Sequence, residues 1–262
     1  MGCDDLMTKI PAISLRTLSK SFGDLEVLGG MDLDVGRGEF VSILGPSGCG
    51  KSTFLSILSG IEEATTGEIT IHGTPLKESG RPFAWMPQHD ALLPWRTVVD
   101  NVGLGYQVAG GLSKREAREM ARVLLPTFGL EEFSRALPYQ LSGGMRQRVA
   151  LARTIAQGRD MLLLDEPFGA LDAITRTELQ LWLEQIWGVE RQTVILITHD
   201  VREAVLLSDR IYVFSGRPAQ IVAEFEVPLE RPRTIEMLAG AQATQLELDL
   251  LRALHVGSGD TP

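Results

Sequence analysis

The chain has 262 residues, enough for one large domain or two closely packed lobes. Hydrophobic residues make up 44% and charged residues 23%, a globular balance that excludes disorder as the default state. The net charge of −9 weighs against a sequence-independent nucleic-acid binder, and no apolar run reaches the roughly 18 to 20 residues that span a bilayer.

The two cysteines, Cys3 and Cys49, make no disulfide framework, and a reducing cytosol is the expected compartment. Met1-Gly2-Cys3 invites a lipidation reading, but Leu6 stands where the myristoylation pattern needs Ser or Thr. No basic segment followed by a hydrophobic stretch marks a secretory signal.

The first forty residues read as strands, with Ile13, Leu15, Val27, Leu33 and Val35 at two-residue steps between glycine turns. Phe40–Leu44 predicts a short buried strand running into glycine, followed by a helix from Lys51 to a stop at Gly60. Glu68–His72 predicts an edge strand. From about His89 to Ala156 the pattern turns helical. Ser113 and Glu116 form a capping box, Ala117, Met120, Ala121 and Leu124 follow at helical spacing, and Pro126 ends or kinks the helix. Strands return at Met161–Leu164, Val194–Thr198 and Ile211–Phe214. Thr175 and Glu178 predict a capped helix carrying Leu179, Trp182, Leu183 and Ile186 on one face. An amphipathic, loosely attached tail is expected from about Glu230.

Gly45-Pro46-Ser47-Gly48-Cys49-Gly50-Lys51-Ser52-Thr53 contains G-x-x-x-x-G-K-[ST] between a predicted strand and a predicted helix. Its glycines let the backbone curl so that several N–H groups face a phosphate, and the helix adds its positive end. Lys51 supplies a charge to the β- and γ-phosphates, and the Ser52 hydroxyl suits Mg²⁺. Cys49 reads as a small loop filler. Met161–Leu164 runs into Asp165 and Glu166, which places one acid to hold Mg²⁺ and the next to polarise a water as general base. Leu141-Ser142-Gly143-Gly144-Met145 precedes another helix, with Ser142 as its cap and bare backbone at a second anion site. Trp85, Trp95, Trp182 and Trp187 are core candidates, with Trp95 open to a second reading. Arg146, Arg148 and Arg153 lack the interleaved aromatics of a nucleic-acid patch and read as structural or interface contacts.

The order Lys51, Gln88, Leu141-Ser142-Gly143-Gly144, Asp165-Glu166, Leu171-Asp172, His199 resembles the ABC transporter ATPase family from about Leu15 to Ser215. The resemblance implies a P-loop ATPase fold of α/β class. It comprises a RecA-like mixed sheet with an antiparallel β subdomain, residues 11–88 and 157–229, and an inserted helical signature subdomain, 89–156. Residues 230–262 form the tail. It further implies that Phe22 stacks on adenine in place of the usual Tyr, that Gln88 touches Mg²⁺ or the attacking water, that Asp172 crosses a dimer interface, and that His199 contacts the γ-phosphate. Met145 replaces the commoner Gln at the end of the signature and leaves Ser142 and Gly144 intact.

The implied protein hydrolyses Mg²⁺-ATP as a head-to-tail homodimer or paired ATPase, peripheral at the cytoplasmic face of the cell membrane. Two transmembrane permease subunits dock on it, and a solute-binding protein acts indirectly. Nucleic acid is not an implied partner. Leu92-Leu93-Pro94-Trp95 is similar to a stretch in importer ATPases of the nitrate/sulfonate/taurine group, which also includes relatives serving thiamine precursors. Leu92, Leu93 and Trp95 are expected to be exposed there for a permease helix. A soluble ABC ATPase without a transport role is the remaining alternative.

Overall fold

The computed structural model describes residues 10–169 and 171–257. Cys3 and the lipidation reading lie outside the described residues, as do the last five residues of the tail. The chain runs β1 (Ile13–Phe22), β2 (Leu25–Val35), β3 (Phe40–Leu44), α1 (Lys51–Leu58), β4 (Thr66–Ile71), β5 (Thr74–Pro75) and β6 (Phe83–Met86). It continues through α2 (Val98–Gly110), α3 (Lys114–Leu124), α4 (Gly143–Ile155), β7 (Met161–Asp165) and α5 (Ala173–Glu190). The remaining elements are β8 (Thr193–Ile197), α6 (Val201–Leu207), β9 (Arg210–Phe214), β10 (Ile221–Glu226) and α7 (Ala241–Gly257).

Two compact units emerge, Met1–Pro82 with Leu183–Pro262, and Phe83–Trp182. The first holds an antiparallel sheet ordered β2-β1-β4-β5. Its β1 is irregular between Leu15 and Leu18, where Thr17 has a φ of 46°. Gly67 at φ +95° admits the neighbouring bulge, because a Cβ there would meet the Arg16 and Thr17 carbonyl oxygens at 2.6 Å. The same unit contains β3 flanked by parallel β8 and β9, with β10 antiparallel on β9. Every residue of β3 and β8 is buried, as expected for parallel strands covered on both faces. Phe40 meets Trp187 edge-on at 5.7 Å and Phe54 meets Phe214 at 5.6 Å.

In the second unit β6 and β7 pair in parallel, Phe83 with Met161 through Met86 with Leu164. The capping box on α3 forms as expected, with Ser113 and Glu116 exchanging bonds. Gly105 lets α2 pass against α4, since a Cβ there would overlap the Arg153 carbonyl oxygen. Phe128 stacks edge-on to Trp182 at 4.4 Å.

The mixed α/β class with its antiparallel sheet is therefore observed, and three expectations need correction. Helix α5 begins at Ala173, not at a Thr175 box. The Asp172 carboxylate accepts the Thr175 N–H at 3.1 Å, while the Thr175 hydroxyl takes a bond from Arg148 at 3.1 Å. Leu92 is buried, because Asp90 and Asn101 hold the backbone on either side of it and turn its side chain inward. The tail through Gly257 is firmly held. Arg231 pairs with Glu184 at 3.2 Å and Asp209 at 3.0 Å and lies over the Trp187 ring at 4.0 Å. Arg233, 3% exposed, donates to the Ser208 and Val205 carbonyls at the end of α6. Ala243, Leu246 and Leu250 bury one face of α7. The amphipathic pattern does not show this attachment, because it depends on Arg231 and Arg233 meeting residues distant in the chain.

Candidate functional site: a glycine loop and an acidic strand end

Strands β3 and β8 are parallel neighbours with Phe40 opposite Val194 and Ile43 opposite Ile197. Their carboxyl ends therefore deliver the loop from Gly45 and the residue His199 to the same edge, where open α/β sheets bind ligands. Gly45 packs against Phe214, so close that a Cβ would sit 3.0 Å from the Phe214 Cβ. Gly48 and Gly50 adopt φ of +74° and +124°, which curls the backbone into α1. No side chain caps that helix, so its first amides face the loop. Ser47 and Ser52 are exposed, whereas Pro46 and Thr53 are half-buried.

Lys51 is 6% exposed, and its Nζ donates to the Gly45 carbonyl at 2.7 Å and the Pro46 carbonyl at 2.9 Å. The ammonium is thus held inside the loop it would use to meet an anion. Cys49 is buried, and burial pushes its thiol up from the ordinary value. Phe22, at the end of β1, is 47% exposed with the Lys20 ammonium 4.5 Å from its ring centroid. His199 is exposed and precedes Asp200, whose carboxylate caps α6.

One residue of this edge was not singled out in the sequence. Arg217 follows β9 and donates from Nη2 to the Gly48 carbonyl at 2.6 Å. Its turn is fixed by the Gly29 and Ala219 backbone pairing and by the Gly216 N–H donated to Gly257 at 2.7 Å. No short motif announces a contact made across 169 positions.

In the second unit the parallel pairing of β6 and β7 brings Gln88 to the acidic strand end. Gln88 Nε2 donates to Glu166 Oε2 at 3.3 Å. Asp165 closes β7 and is 3% exposed. Glu166 turns the chain with a φ of 48°, a left-handed conformation that a non-glycine residue adopts at a cost of about 1 kcal/mol or more. Gly169 N–H, donating to the Glu166 carbonyl at 3.1 Å, holds the turn. Strain of this kind concentrates where a side chain must be aimed.

Ser142 caps α4, accepting the Met145 N–H at 3.2 Å. Gly143 and Gly144 form the first turn, and a Cβ on Gly144 would reach Leu171 at 3.0 Å. Asp172 is exposed, and the Thr175 backbone and hydroxyl hold its carboxyl below the ordinary range. The loop glycines, Lys51, Phe22 and His199 thus belong to the first unit, and Gln88, Ser142, Asp165, Glu166 and Asp172 to the second. Among the described residues, no helix is long and apolar enough to cross a membrane.

A profile of the ABC transporter family matches residues 28–169. The chain is 47% identical over 223 residues to an aliphatic sulfonates import ATP-binding protein of Agrobacterium fabrum, covering 85% of this chain and 77% of that protein. It is 41% identical over 256 residues to a taurine import ATP-binding protein of Rhizobium johnstonii, covering 95% and 97%. A solved dimeric ATP-binding cassette in a post-hydrolysis state, bound to ADP and Pi, matches with a TM-score of 0.75 and 30% identity, over 83% of this chain and all of that one.

Proposed function

The chain belongs to the ABC transporter family of ATPases, and from that premise we propose that it is the motor subunit of an importer for sulfonates, taurine among them. Identity to two sulfonate-class import subunits across most of the chain carries this reading. ATP is the substrate, and its hydrolysis is the activity.

The residue roles form part of the proposal. The Gly45–Thr53 loop takes the phosphates of ATP, and Phe22 offers its exposed face to adenine. Lys51 exchanges the Gly45 and Pro46 carbonyls for phosphate oxygens, a swap that replaces two neutral acceptors by charged ones. Ser52, Asp165 and Gln88 supply hard oxygen donors suited to Mg²⁺, which when bound neutralises charge on the β- and γ-phosphates. Glu166 takes a proton from water as the water oxygen bonds to the γ-phosphorus and the bond to ADP breaks. Gln88 orients the Glu166 carboxylate, and His199 donates to the γ-phosphate.

The helical segment 89–156 bears the signature. In a head-to-tail pair the partner subunit's Ser142 and the amides behind it read the γ-phosphate, with Asp172 at the contact. The two-subunit arrangement is supported by the dimeric cassette structure. Ser142→Arg is expected to lower turnover at least about tenfold while nucleotide affinity stays within about twofold. Steady-state hydrolysis beside equilibrium nucleotide titration checks this, and normal turnover in a dimerising variant would refute the head-to-tail site.

Two permease subunits at the cytoplasmic face of the membrane complete the proposed assembly, with a solute-binding protein delivering the cargo. Trp95, 74% exposed beside Pro94, is the contact that a cytoplasmic permease helix would bury. Proteoliposomes holding the neighbouring permease, its binding protein and this chain are expected to accumulate taurine or an alkanesulfonate only with ATP. Trp95→Ala is expected to cut that uptake about tenfold and to leave ATP affinity unchanged. Uptake without ATP, or binding protein that ignores sulfonates, would overturn the importer or its cargo respectively.

A further inference from the structure

The segment from Gln88 to Thr97 is fastened from two sides within the second unit. Arg153, near the end of α4, donates from Nη2 to the Asp90 carbonyl and from Nη1 to the Ala91 carbonyl, both at 2.7 Å. Arg146, near the start of the same helix, donates from Nε to Asp90 Oδ2 at 3.0 Å and from Nη1 to the Leu141 carbonyl at 2.9 Å. The backbone immediately before Ser142 is thereby tied to Asp90 through one guanidinium. Ala91, whose carbonyl Arg153 holds, has a φ of 45°, a conformation that persists only where the surroundings over-determine it.

The other side is held by Asn101 on α2, which is fully buried. Its Oδ1 accepts the Leu93 N–H at 2.8 Å, and its Nδ2 lies 3.0 Å from the Arg96 carbonyl and 3.2 Å from those of Leu93 and Thr97. Trp95 stands on the piece of chain between these anchors. Arg153 is half-buried, and burial lowers its pKa while the Asp90 charge opposes that shift. Burying a guanidinium on two carbonyls is costly for packing alone. A planar fork that spans two successive carbonyls is also a contact that lysine cannot reproduce.

We infer that Arg146 and Arg153 are positioning residues that latch the Trp95 loop to the signature helix, so that any displacement of α4 carries Trp95 with it as one piece. Signature movement on ATP binding then reaches the permease without passing through Glu166 or the phosphate loop. The inference rests on the reading of Trp95 as the permease contact.

Arg153→Met keeps the side-chain stem and loses both bonds, while Arg153→Lys keeps the charge and reaches one carbonyl. In the isolated full chain, the Leu93 amide is expected to exchange hydrogen at least about tenfold faster in Arg153→Met, with Arg153→Lys between it and the unsubstituted chain and β7 amides unchanged. In the permease complex, stimulated hydrolysis is expected to fall at least about tenfold in Arg153→Met, while hydrolysis by the isolated chain stays within about twofold. Unchanged exchange in both variants overturns the latch. Equal loss of isolated and stimulated hydrolysis overturns the coupling role and leaves a structural one. If Arg153→Met does not fold, the same two readouts on Arg153→Lys decide. An unsubstituted chain that no permease stimulates refutes the importer reading and the coupling with it, whereas the exchange comparison still decides whether the latch exists.

Discussion

Replacing Glu166 by Gln is expected to lower steady-state ATP hydrolysis by at least about a hundredfold. The substitution is nearly isosteric, so the left-handed turn at φ 48° and the Gly169 bond to its carbonyl persist. Gln88 keeps an oxygen acceptor, because the new amide carbonyl replaces the carboxylate oxygen 3.3 Å away. What disappears is the ability to take a proton from water. ATP affinity should stay within about twofold, and ATP should now accumulate a stable dimer, since the step that separates the subunits is blocked. Size-exclusion chromatography with ATP, beside a phosphate-release assay, measures both. Near-normal release would remove Glu166 as base and return the acidic strand end to a structural turn.

Gly50→Ala is expected to destabilise the first unit by about 2 kcal/mol and to weaken ATP binding at least about tenfold. Gly50 sits at φ +124°, a region closed to residues with a Cβ. An added methyl would lie 2.9 Å from Val27 Cγ1, 3.0 Å from Leu28 Cδ2 and 3.2 Å from the Val27 carbonyl oxygen. Relief would move the start of α1, and with it the amides and Lys51 that face the phosphates. Urea denaturation and a fluorescent-nucleotide titration read the two effects. An alanine variant with unaltered affinity would show that the loop needs no left-handed residue at this position.

The two substitutions touch features that differ in how visible they were before folding. The loop from Gly45 to Thr53 was legible because its chemistry is local. Glycines, one lysine and a hydroxyl must follow one another for backbone amides to converge on one phosphate. Asp165 and Glu166 were legible for a similar reason, standing where a fully buried five-residue strand ends. Ser142 declared itself as a cap by its position before a helical pattern, and α4 begins beside it.

The elements that escaped notice are those whose pattern is short or shared. Strand β6 has four residues and β10 alternates half-buried with exposed ones, so neither offers a long buried run. Helix α5 shows a different failure. Thr175 and Glu178 fit the capping spacing, but Asp172 captured the Thr175 N–H one turn earlier, and an Asp cap competes equally well. The tail was expected to be loosely attached because nothing in its own spacing shows that Arg231 and Arg233 meet Glu184, Asp209 and the end of α6.

The sequence by itself determined that a phosphate-binding loop, an acidic strand end and a capped signature helix occur in this order, since each is written in consecutive residues. Only the tertiary structure decided that Gln88 meets Glu166, that Arg217 pins Gly48, and that Arg146 and Arg153 grip the loop bearing Trp95. Those contacts join residues 56 to 169 positions apart. Spacing along the chain carries no record of such pairs, because strand register and helix packing alone set which side chains come within bonding distance.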